Sequence, residues 1–270
     1  MRTSVIQFPI RTRAFEENIA VAARWIEEAG RRRSDLIVLP EMWNTGFAFP
    51  DLAEWAEAAW EPSISFLRYM AQKQRCVIAG GVAEPVAGGV FNTLVWFGPQ
   101  GDLLGKYRKI HLFPLMDEDR FLREGDQIEP VLTEHGRLGG IICYDIRFPE
   151  LARALARQGC WALVVPSQFP APRLAHWQTL LGARAIENQL WVAAANRTGA
   201  EGRLEFFGHS MIIDPWGEIA DALEERPGVA TADITRERVD EVRESLPAFS
   251  RRREDIYARC SGSGEPEGSE

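Results

Sequence analysis

The distribution of apolar positions along the chain predicts a protein of alternating strands and helices. Seven short runs are apolar at most positions and are bounded by polar or turn-forming residues, which is typical of strands buried on both faces. These runs are SVIQF, DLIVLP, CVIAGGVA, FNTLVWF, GGIICY, WALVVP and LWVAAAN. Because helix-like segments separate several of them, the pattern favours a single α/β domain built in layers.

Apolar residues spaced by three or four positions predict the helices that cover these strands. One such stripe runs from Phe15 to Ile26, and Gly30 closes the segment. Three further segments are interpreted as helices, and Pro149 suits the first turn of one of them. They are residues 63 to 74, 148 to 158 and 173 to 188. Since each stripe occupies one side, we expect the helices to lie outside the sheets.

Turn residues indicate that the sheets are mixed. GPQGD and DPWGE each join two extended runs, as the turn of an antiparallel hairpin does. The runs DLIVLPE and WALVVPS are both interpreted as strands that end near a proline, which is a weak sign of two similar halves. The closing residues are small, polar and acidic, so we expect a domain over residues 1 to 258 and a disordered tail over 259 to 270.

Composition excludes several classes of function. The formal charge of -8 provides no basic field for nucleic acid, whose binding needs clustered lysine or arginine. No window of about 18 apolar residues could span a bilayer. The first ten residues, MRTSVIQFPI, lack the apolar stretch of a signal peptide, so the expected location is the cytoplasm.

The four cysteines have no spacing that predicts a disulfide framework or a zinc site. Cys76 and Cys160 are interpreted as small buried hydrophobes. Cys143 differs because it ends the run GGIICY just before the helix that begins near Pro149. A thiol near the positive end of a helix favours its thiolate form, so Cys143 is the candidate nucleophile.

Two other charged residues follow extended apolar sequence in the same way. Glu41 follows DLIVLP, and Lys109 stands in GKYRKIHLF. A carboxylate near a thiol can accept its proton, and an ammonium can stabilise an oxyanion. The three side chains are therefore expected to converge in one site.

The segments LPEMW, YRKIHLF and CYDIRFPE resemble the three catalytic motifs of the nitrilase, or carbon–nitrogen hydrolase, superfamily, and the resemblance covers about residues 3 to 257. It implies a four-layer α-β-β-α sandwich and a homodimer or higher homo-oligomer, with no metal or organic cofactor. It also implies that Glu41 is the general base, Lys109 an electrophilic aid and Cys143 the nucleophile. A second glutamate is expected from LMDEDRF, with Glu118 favoured. The alternatives there are Asp117 and Asp119.

Longer stretches, including PAPRLAHWQTLLGARAIENQ and FFGHSMIIDPWGEI, resemble the ω-amidase branch, which hydrolyses 2-oxoglutaramate. This implies a small amide substrate with an α-keto acid end. Arg173 is interpreted as the cation for its carboxylate or as a surface residue that caps a helix. The backbone N–H of Tyr144 is expected to stabilise the oxyanion. Trp43 and Phe47 are candidates for the pocket wall, although most aromatic residues lie in the core.

Some assignments and alternatives concern the neighbouring residues. Arg147 is expected to be structural, paired with Asp145 or Glu150. No catalytic role is assigned to the nearby histidines, which are His111, His176 and His209. The competing hypotheses are another substrate (a nitrile, an N-carbamoyl amino acid or an aliphatic amide), a papain-like Cys143–histidine pair, and a noncatalytic scaffold.

Overall fold

The seven apolar runs all contribute strands to two six-stranded sheets in the computed structural model, which describes residues 1 to 260. The strands are β1 (Arg2–Gln7), β2 (Leu36–Val38), β3 (Val77–Val86), β4 (Gly89–Phe97), β5 (Leu103–Arg108), β6 (Val131–Thr133), β7 (Gly136–Gly140), β8 (Ala162–Ser167), β9 (Trp191–Asn196), β10 (Thr198–Glu201), β11 (Leu204–Phe207), β12 (Met211–Ile213), β13 (Ile219–Ala222) and β14 (Gly228–Asp233). Sequence reasoning did not identify β6, β10, β11 or β14, since these strands lie at sheet edges or form the separate hairpin β10–β11.

The two sheets have the same pattern of parallel and antiparallel strand pairs, which agrees with the sign of two similar halves. The first has the order β14-β1-β2-β3-β4-β5 and the second β13-β12-β9-β8-β7-β6. Each has three parallel strands, β1-β2-β3 or β7-β8-β9, and three antiparallel ones around them. The proline-ended runs form the middle strand of each parallel set, β2 and β8. The predicted hairpins are confirmed as β4–β5 and β12–β13.

The helices cover the outer faces of the paired sheets, so the predicted four-layer α-β-β-α sandwich with mixed sheets is confirmed. Strand β1 packs against β9, and β3 packs against β8, which brings the sheets face to face. The helices are α1 (Phe15–Arg31), α2 (Leu52–Gln74), α3 (Glu118–Phe121), α4 (Pro149–Arg157), α5 (Leu174–Asn188), α6 (Arg236–Ser245) and α7 (Glu254–Cys260). Helices α1 and α2 pack on the first sheet, and α4 and α5 on the second.

Helix α2 is longer than the sequence predicted. The expected helix over 63 to 74 begins instead at Leu52 and passes through Pro62. Proline lacks an N–H donor and usually ends or kinks a helix. The buried residues of the added part, Leu52, Ala56 and Ala59, continue the same apolar face and hold it on the protein.

The last described helix spans the expected domain end. Helix α7 runs to Cys260, two residues past the expected domain end at 258. The rest of the predicted tail, 261 to 270, lies outside the described residues. Among the helices of residues 1 to 260, none combines the length and apolar character needed to cross a membrane.

Candidate active site

Cys143 lies in a turn directly after a buried strand. Strand β7 ends at Gly140, earlier than the run GGIICY suggested, and a 3₁₀ turn covers Cys143–Arg147. Cys143 has φ of 46°, in the left-handed region that side chains other than glycine rarely adopt. Such a conformation persists only where the surroundings fix it, and it is common at functional sites.

The Asp145 carboxylate fixes this turn. It is fully buried and accepts hydrogen bonds from the backbone N–H of Ile142 at 3.0 Å and from the Tyr107 hydroxyl at 2.7 Å. It also accepts from the backbone N–H of His111 at 3.0 Å. Since Tyr107 and His111 flank Lys109 in sequence, Asp145 ties the Cys143 turn to the segment that carries Lys109.

The predicted glutamates and lysine meet in one buried cluster. Lys109 Nζ donates to Glu41 Oε1 at 2.7 Å and to Glu118 Oε1 at 2.8 Å, and the three side chains are at most 1 % exposed. Glu118 Oε2 also accepts from the backbone N–H of Phe113 at 3.0 Å. The alternatives to Glu118 do not reach this cluster, because Asp117 and Asp119 are exposed.

Two further residues hold Glu41, and the sequence analysis missed both. The side-chain amide of Asn92 donates to Glu41 Oε1 at 2.7 Å, and the backbone N–H of Gln168 donates to Oε2 at 2.8 Å. The Gln168 side chain also donates to the Glu41 carbonyl oxygen at 2.7 Å. A polar residue inside the apolar run FNTLVWF was the available signal for Asn92.

The cluster holds two carboxylates and one ammonium away from water, and this sets their pKa values. Burial raises the pKa of Glu118 to about 7, since the nearby Glu41 charge adds to burial and Lys109 only partly offsets both. Burial alone would lower the pKa of Lys109, but Glu118 and Glu41 raise it above its ordinary value. Lys109 is therefore a permanent cation at neutral pH.

The structure corrects the expectation that Cys143 favours its thiolate form. Burial raises the pKa of the Cys143 thiol well above its ordinary value, and the Glu41 carboxylate raises it further, while Lys109 opposes them. The resting residue is a thiol beside a carboxylate. Its activation requires a base that accepts the proton as the sulfur attacks.

A small, narrow pocket opens at Cys143. It is lined by Phe113, Cys143, Tyr144, Arg147, Phe169, Pro170 and Arg173. Arg173 does not cap helix α5 with its side chain, and its guanidinium lies 5.3 Å from the centre of the Phe113 ring.

Arg147 was predicted to pair with Asp145 or Glu150, and this is wrong. It lies over the Tyr144 and Phe169 rings and contacts His176 Nδ1 at 3.3 Å.

The two aromatic residues proposed as pocket walls lie elsewhere. Trp43 is fully buried in the core beside Phe66, with ring centres 5.7 Å apart. Phe47 packs against Phe49 in a separate apolar cluster. Neither is among the residues that line the pocket at Cys143. Trp43 lies in the core, whereas Phe47 is partly buried and packs against its cluster.

Histidines contribute to the surroundings of the site. The charged groups that act on the Cys143 thiol are Glu41, Lys109 and Glu118, and no histidine is among those acting on it within residues 1 to 260. His111 Nδ1 contacts Asp145 at 2.9 Å, and its ring stacks on Phe148. That geometry does not favour a papain-like pair. Within the same residues, no three His, Cys, Asp or Glu side chains are grouped to hold a metal ion.

Comparison with known proteins agrees with this geometry. The carbon-nitrogen hydrolase family model matches residues 2–244. The chain is 40 % identical to the 2-oxoglutaramate amidase of Bacillus subtilis over 94 % of its length and 98 % of the relative's. It is 36 % identical to an omega-amidase of Xenopus tropicalis, over 95 % and 96 % of the two chains. A carbon-nitrogen hydrolase structure from Helicobacter pylori superposes with a TM-score of 0.91 at 28 % identity, over 96 % and 97 % of the chains. The chain is a hydrolase that belongs to the carbon-nitrogen hydrolase family, within the nitrilase superfamily.

Proposed function

We propose that this enzyme is an ω-amidase that hydrolyses the terminal amide of a small α-keto acid amide, such as 2-oxoglutaramate, to the dicarboxylate and ammonia. The observation that carries the proposal is the buried Glu41–Lys109–Glu118 cluster beside the Cys143 thiol, at a pocket that also holds two arginines. The identity with a 2-oxoglutaramate amidase along nearly the whole chain supports this choice of substrate.

In the first half of the reaction, Glu41 acts as the base that the high pKa of Cys143 requires. The carboxylate accepts the thiol proton as the sulfur attacks the amide carbon, and a carbon–sulfur bond forms. Negative charge develops on the amide oxygen, where Lys109 and the backbone N–H of Tyr144 stabilise it. Glu41 then returns the proton to the nitrogen, the carbon–nitrogen bond breaks, and ammonia leaves.

The second half releases the acid from the thioester. Glu41, ionised again, accepts a proton from water as the oxygen attacks the thioester carbon. The carbon–sulfur bond breaks, and the sulfur regains its proton through Glu41. Glu118 remains paired with Lys109 throughout, so its role is to hold the ammonium in place while the oxyanion forms twice.

The charge of the pocket supports an anionic substrate. Arg147 and Arg173 both line it, and neither forms a salt bridge within the described residues. Guanidinium groups bind carboxylates through paired, charge-assisted hydrogen bonds. An α-keto acid end carries a carboxylate and an adjacent carbonyl oxygen, which are acceptors for these two donors. A nitrile or a simple aliphatic amide offers no carboxylate to these two guanidinium groups.

Substrate preference tests this proposal. We expect a much higher kcat/KM for 2-oxoglutaramate than for butyramide or a short nitrile. Replacing Arg173 with Gln should lower kcat/KM for 2-oxoglutaramate by roughly 100-fold, as loss of a charge-assisted pair predicts. The same change should leave butyramide hydrolysis within about twofold, because butyramide has no carboxylate. A preference for nitriles, or an equal loss for both amides, would contradict the proposal.

The proposal also includes location and assembly. The three cysteines whose side chains are described are free thiols, and a nucleophilic thiol suits a reducing compartment such as the cytoplasm. A homodimer or higher homo-oligomer is proposed through helix α5, whose Ile186 is 52 % exposed close to the exposed Trp216 turn. Sedimentation equilibrium measures the assembly directly.

A further inference from the structure

Asn92 forms hydrogen bonds with two residues of the proposed catalytic site. It lies on β4 with no exposed surface, and its amide nitrogen donates to Glu41 Oε1 at 2.7 Å. Its backbone carbonyl accepts from the backbone N–H of Lys109 at 2.8 Å. Glu41 follows β2 and Lys109 follows β5, so Asn92 links two segments that are far apart in sequence.

The same side chain has an unsatisfied acceptor. Asn92 Oδ1 is buried and has no hydrogen-bond partner in the part of the chain that the structure describes. An unpaired buried acceptor typically costs about 1 to 3 kcal/mol. An apolar residue of similar size would avoid this cost. The contact with Glu41 is therefore the one polar interaction that the side chain provides, and it is made to the proposed base.

The hydrogen bonds at Glu41 explain why a neutral donor is useful there. Oε1 accepts from Lys109 and Asn92, while Oε2 accepts from the backbone N–H of Gln168. In the proposed reaction, Lys109 also stabilises the oxyanion, so its interaction with Glu41 weakens as charge develops. Asn92 carries no charge, and within residues 1 to 260 its side chain has no other hydrogen-bond partner, so it keeps Oε1 oriented at that stage.

We propose that Asn92 is a positioning residue that holds the Glu41 carboxylate aligned with the Cys143 thiol while Lys109 serves the oxyanion. The inference rests on the proposed function for its chemistry. In this role Asn92 does not contact the substrate.

Removal of the Asn92 amide donor is expected to change how the rate depends on pH. The charged and titratable groups that face Glu41 are Lys109, Glu118 and Cys143. The Glu41 charge raises the pKa of Glu118, and loss of the Asn92 donor leaves more of that charge uncompensated, so Glu118 should take up its proton at higher pH. The acid limb of the rate profile follows Glu118 and should move upward. A residue that only fills space would not move it.

Two substitutions test the proposal. Asn92→Leu keeps the approximate size without a donor, and Asn92→Asp keeps the shape while replacing the donor with a carboxylate. For each folded variant we expect kcat to fall roughly 10- to 100-fold, KM to change less than about threefold, and the acid limb to rise by about 0.5 to 1 pH unit. Asn92→Asp provides the test if Asn92→Leu fails to fold.

The adjacent residue provides a matched control. The Thr93 hydroxyl donates to the buried carboxylate of Glu84 at 2.8 Å, on the opposite face of the same strand. Thr93→Val therefore removes a donor to a buried carboxylate outside the site. We expect its kcat to stay within about twofold and its acid limb to stay in place.

A second measurement needs no substrate. Iodoacetamide alkylates Cys143 when Glu41 accepts the thiol proton, a carbon–sulfur bond forms and iodide leaves. Peptide mass spectrometry separates this product from reaction at Cys76 and Cys160, whose burial raises their pKa values to about 12. We expect alkylation of Cys143 at pH 7 to slow at least about tenfold in both Asn92 variants and to be unchanged in Thr93→Val.

The outcomes separate this inference from the proposed function. If the wild type hydrolyses 2-oxoglutaramate and both Asn92 variants keep kcat, acid limb and alkylation rate, the positioning role is overturned and the function stands. If the wild type hydrolyses no α-keto acid amide while alkylation slows in both variants, the substrate assignment fails and the positioning role stands.

Discussion

Two buried carboxylate clusters lie on opposite faces of the first sheet, and they differ in their ratio of cations to anions. In one, Glu84 on β3 accepts from Lys106 at 2.7 Å and from Arg108 at 2.8 Å. In the other, Lys109 is shared between Glu41 and Glu118. Arg108 and Lys109 are adjacent, and alternate residues of an extended segment point to opposite faces. One short segment thus supplies both clusters.

The ratio of cations to carboxylates sets the pKa values in each cluster. Burial alone would raise the pKa of Glu84, but hydrogen bonds from Arg108, Lys106 and Thr93 lower it to about 2. Glu84 stays ionised at any physiological pH, which suits a structural ion pair. With two carboxylates for one ammonium, burial raises the pKa of Glu118 to about 7. The second cluster therefore keeps a proton site near neutral pH beside a thiol, as acid–base chemistry requires.

The largest expected effect is the difference in kcat between variants of Lys109 and Lys106. Lys109→Gln should lower kcat by roughly 10³-fold, since it removes the cation that we propose stabilises the oxyanion and that donates hydrogen bonds to both carboxylates. Lys106→Gln should leave kcat within about twofold, because the Lys106 ammonium pairs with Glu84 and lies over the Trp60 ring. Steady-state hydrolysis of 2-oxoglutaramate measures both. Comparable losses in the two variants would show that the clusters are not functionally distinct.

A smaller effect is expected for Glu118→Gln. In the wild type, the site takes up a proton as pH falls through about 7, because the folded-state pKa of Glu118 is raised to about 7. Activity should decline on that acid side. Without the second carboxylate, the acid limb should move to lower pH, and the plateau of kcat should fall about tenfold because Lys109 is less firmly held. An unchanged limb would mean that Glu118 does not set the pH response.

The smallest effect on activity is expected at Glu84, where stability should change instead. The folded pKa of about 2 lies below the ordinary 4.5, so the stabilisation is present above pH 4.5 and is lost as pH falls toward 2. Lys106 and Arg108 are 37 % and 38 % exposed, which weakens the interaction by solvent screening. Glu84→Gln should lower the free energy of unfolding by about 1 to 2 kcal/mol at pH 7.

Urea denaturation at pH 7 and pH 3 checks this prediction, and the difference between variant and wild type should shrink at the lower pH. Turnover of Glu84→Gln at pH 7 should stay within about twofold of the wild type. A large loss of turnover with unchanged stability would reverse the assignments of the two clusters.

The sequence predicted the layers and the central residues of the site because both have local signals. Apolar runs marked the strands, and Glu41, Lys109 and Cys143 each follow extended apolar sequence inside a family motif. The edge strand β6 and the hairpin β10–β11 carry weaker patterns, since they lie at the surface. Helix α2 extends before the predicted start at residue 63, because its apolar face continues on the other side of Pro62.

The missed site residues depend on contacts between segments far apart in sequence. Asn92 and Gln168 reach Glu41 from separations of 51 and 127 residues, and no local pattern marks those pairings. Arg147 was assigned a local partner, yet its guanidinium lies over the pocket rings. The Cys143 thiol was expected to favour its thiolate form because the start of the following helix was visible in the sequence, whereas its burial was not.

Trapping of the acyl intermediate tests the central claim most directly. The wild-type enzyme would be mixed with 2-oxoglutaramate, quenched in acid during turnover, digested and examined by mass spectrometry. We expect the 2-oxoglutaryl group on the peptide that contains Cys143, and no adduct and no turnover in Cys143→Ala. Turnover that persists in Cys143→Ala, or an acyl group on Cys76 or Cys160 alone, would contradict the account.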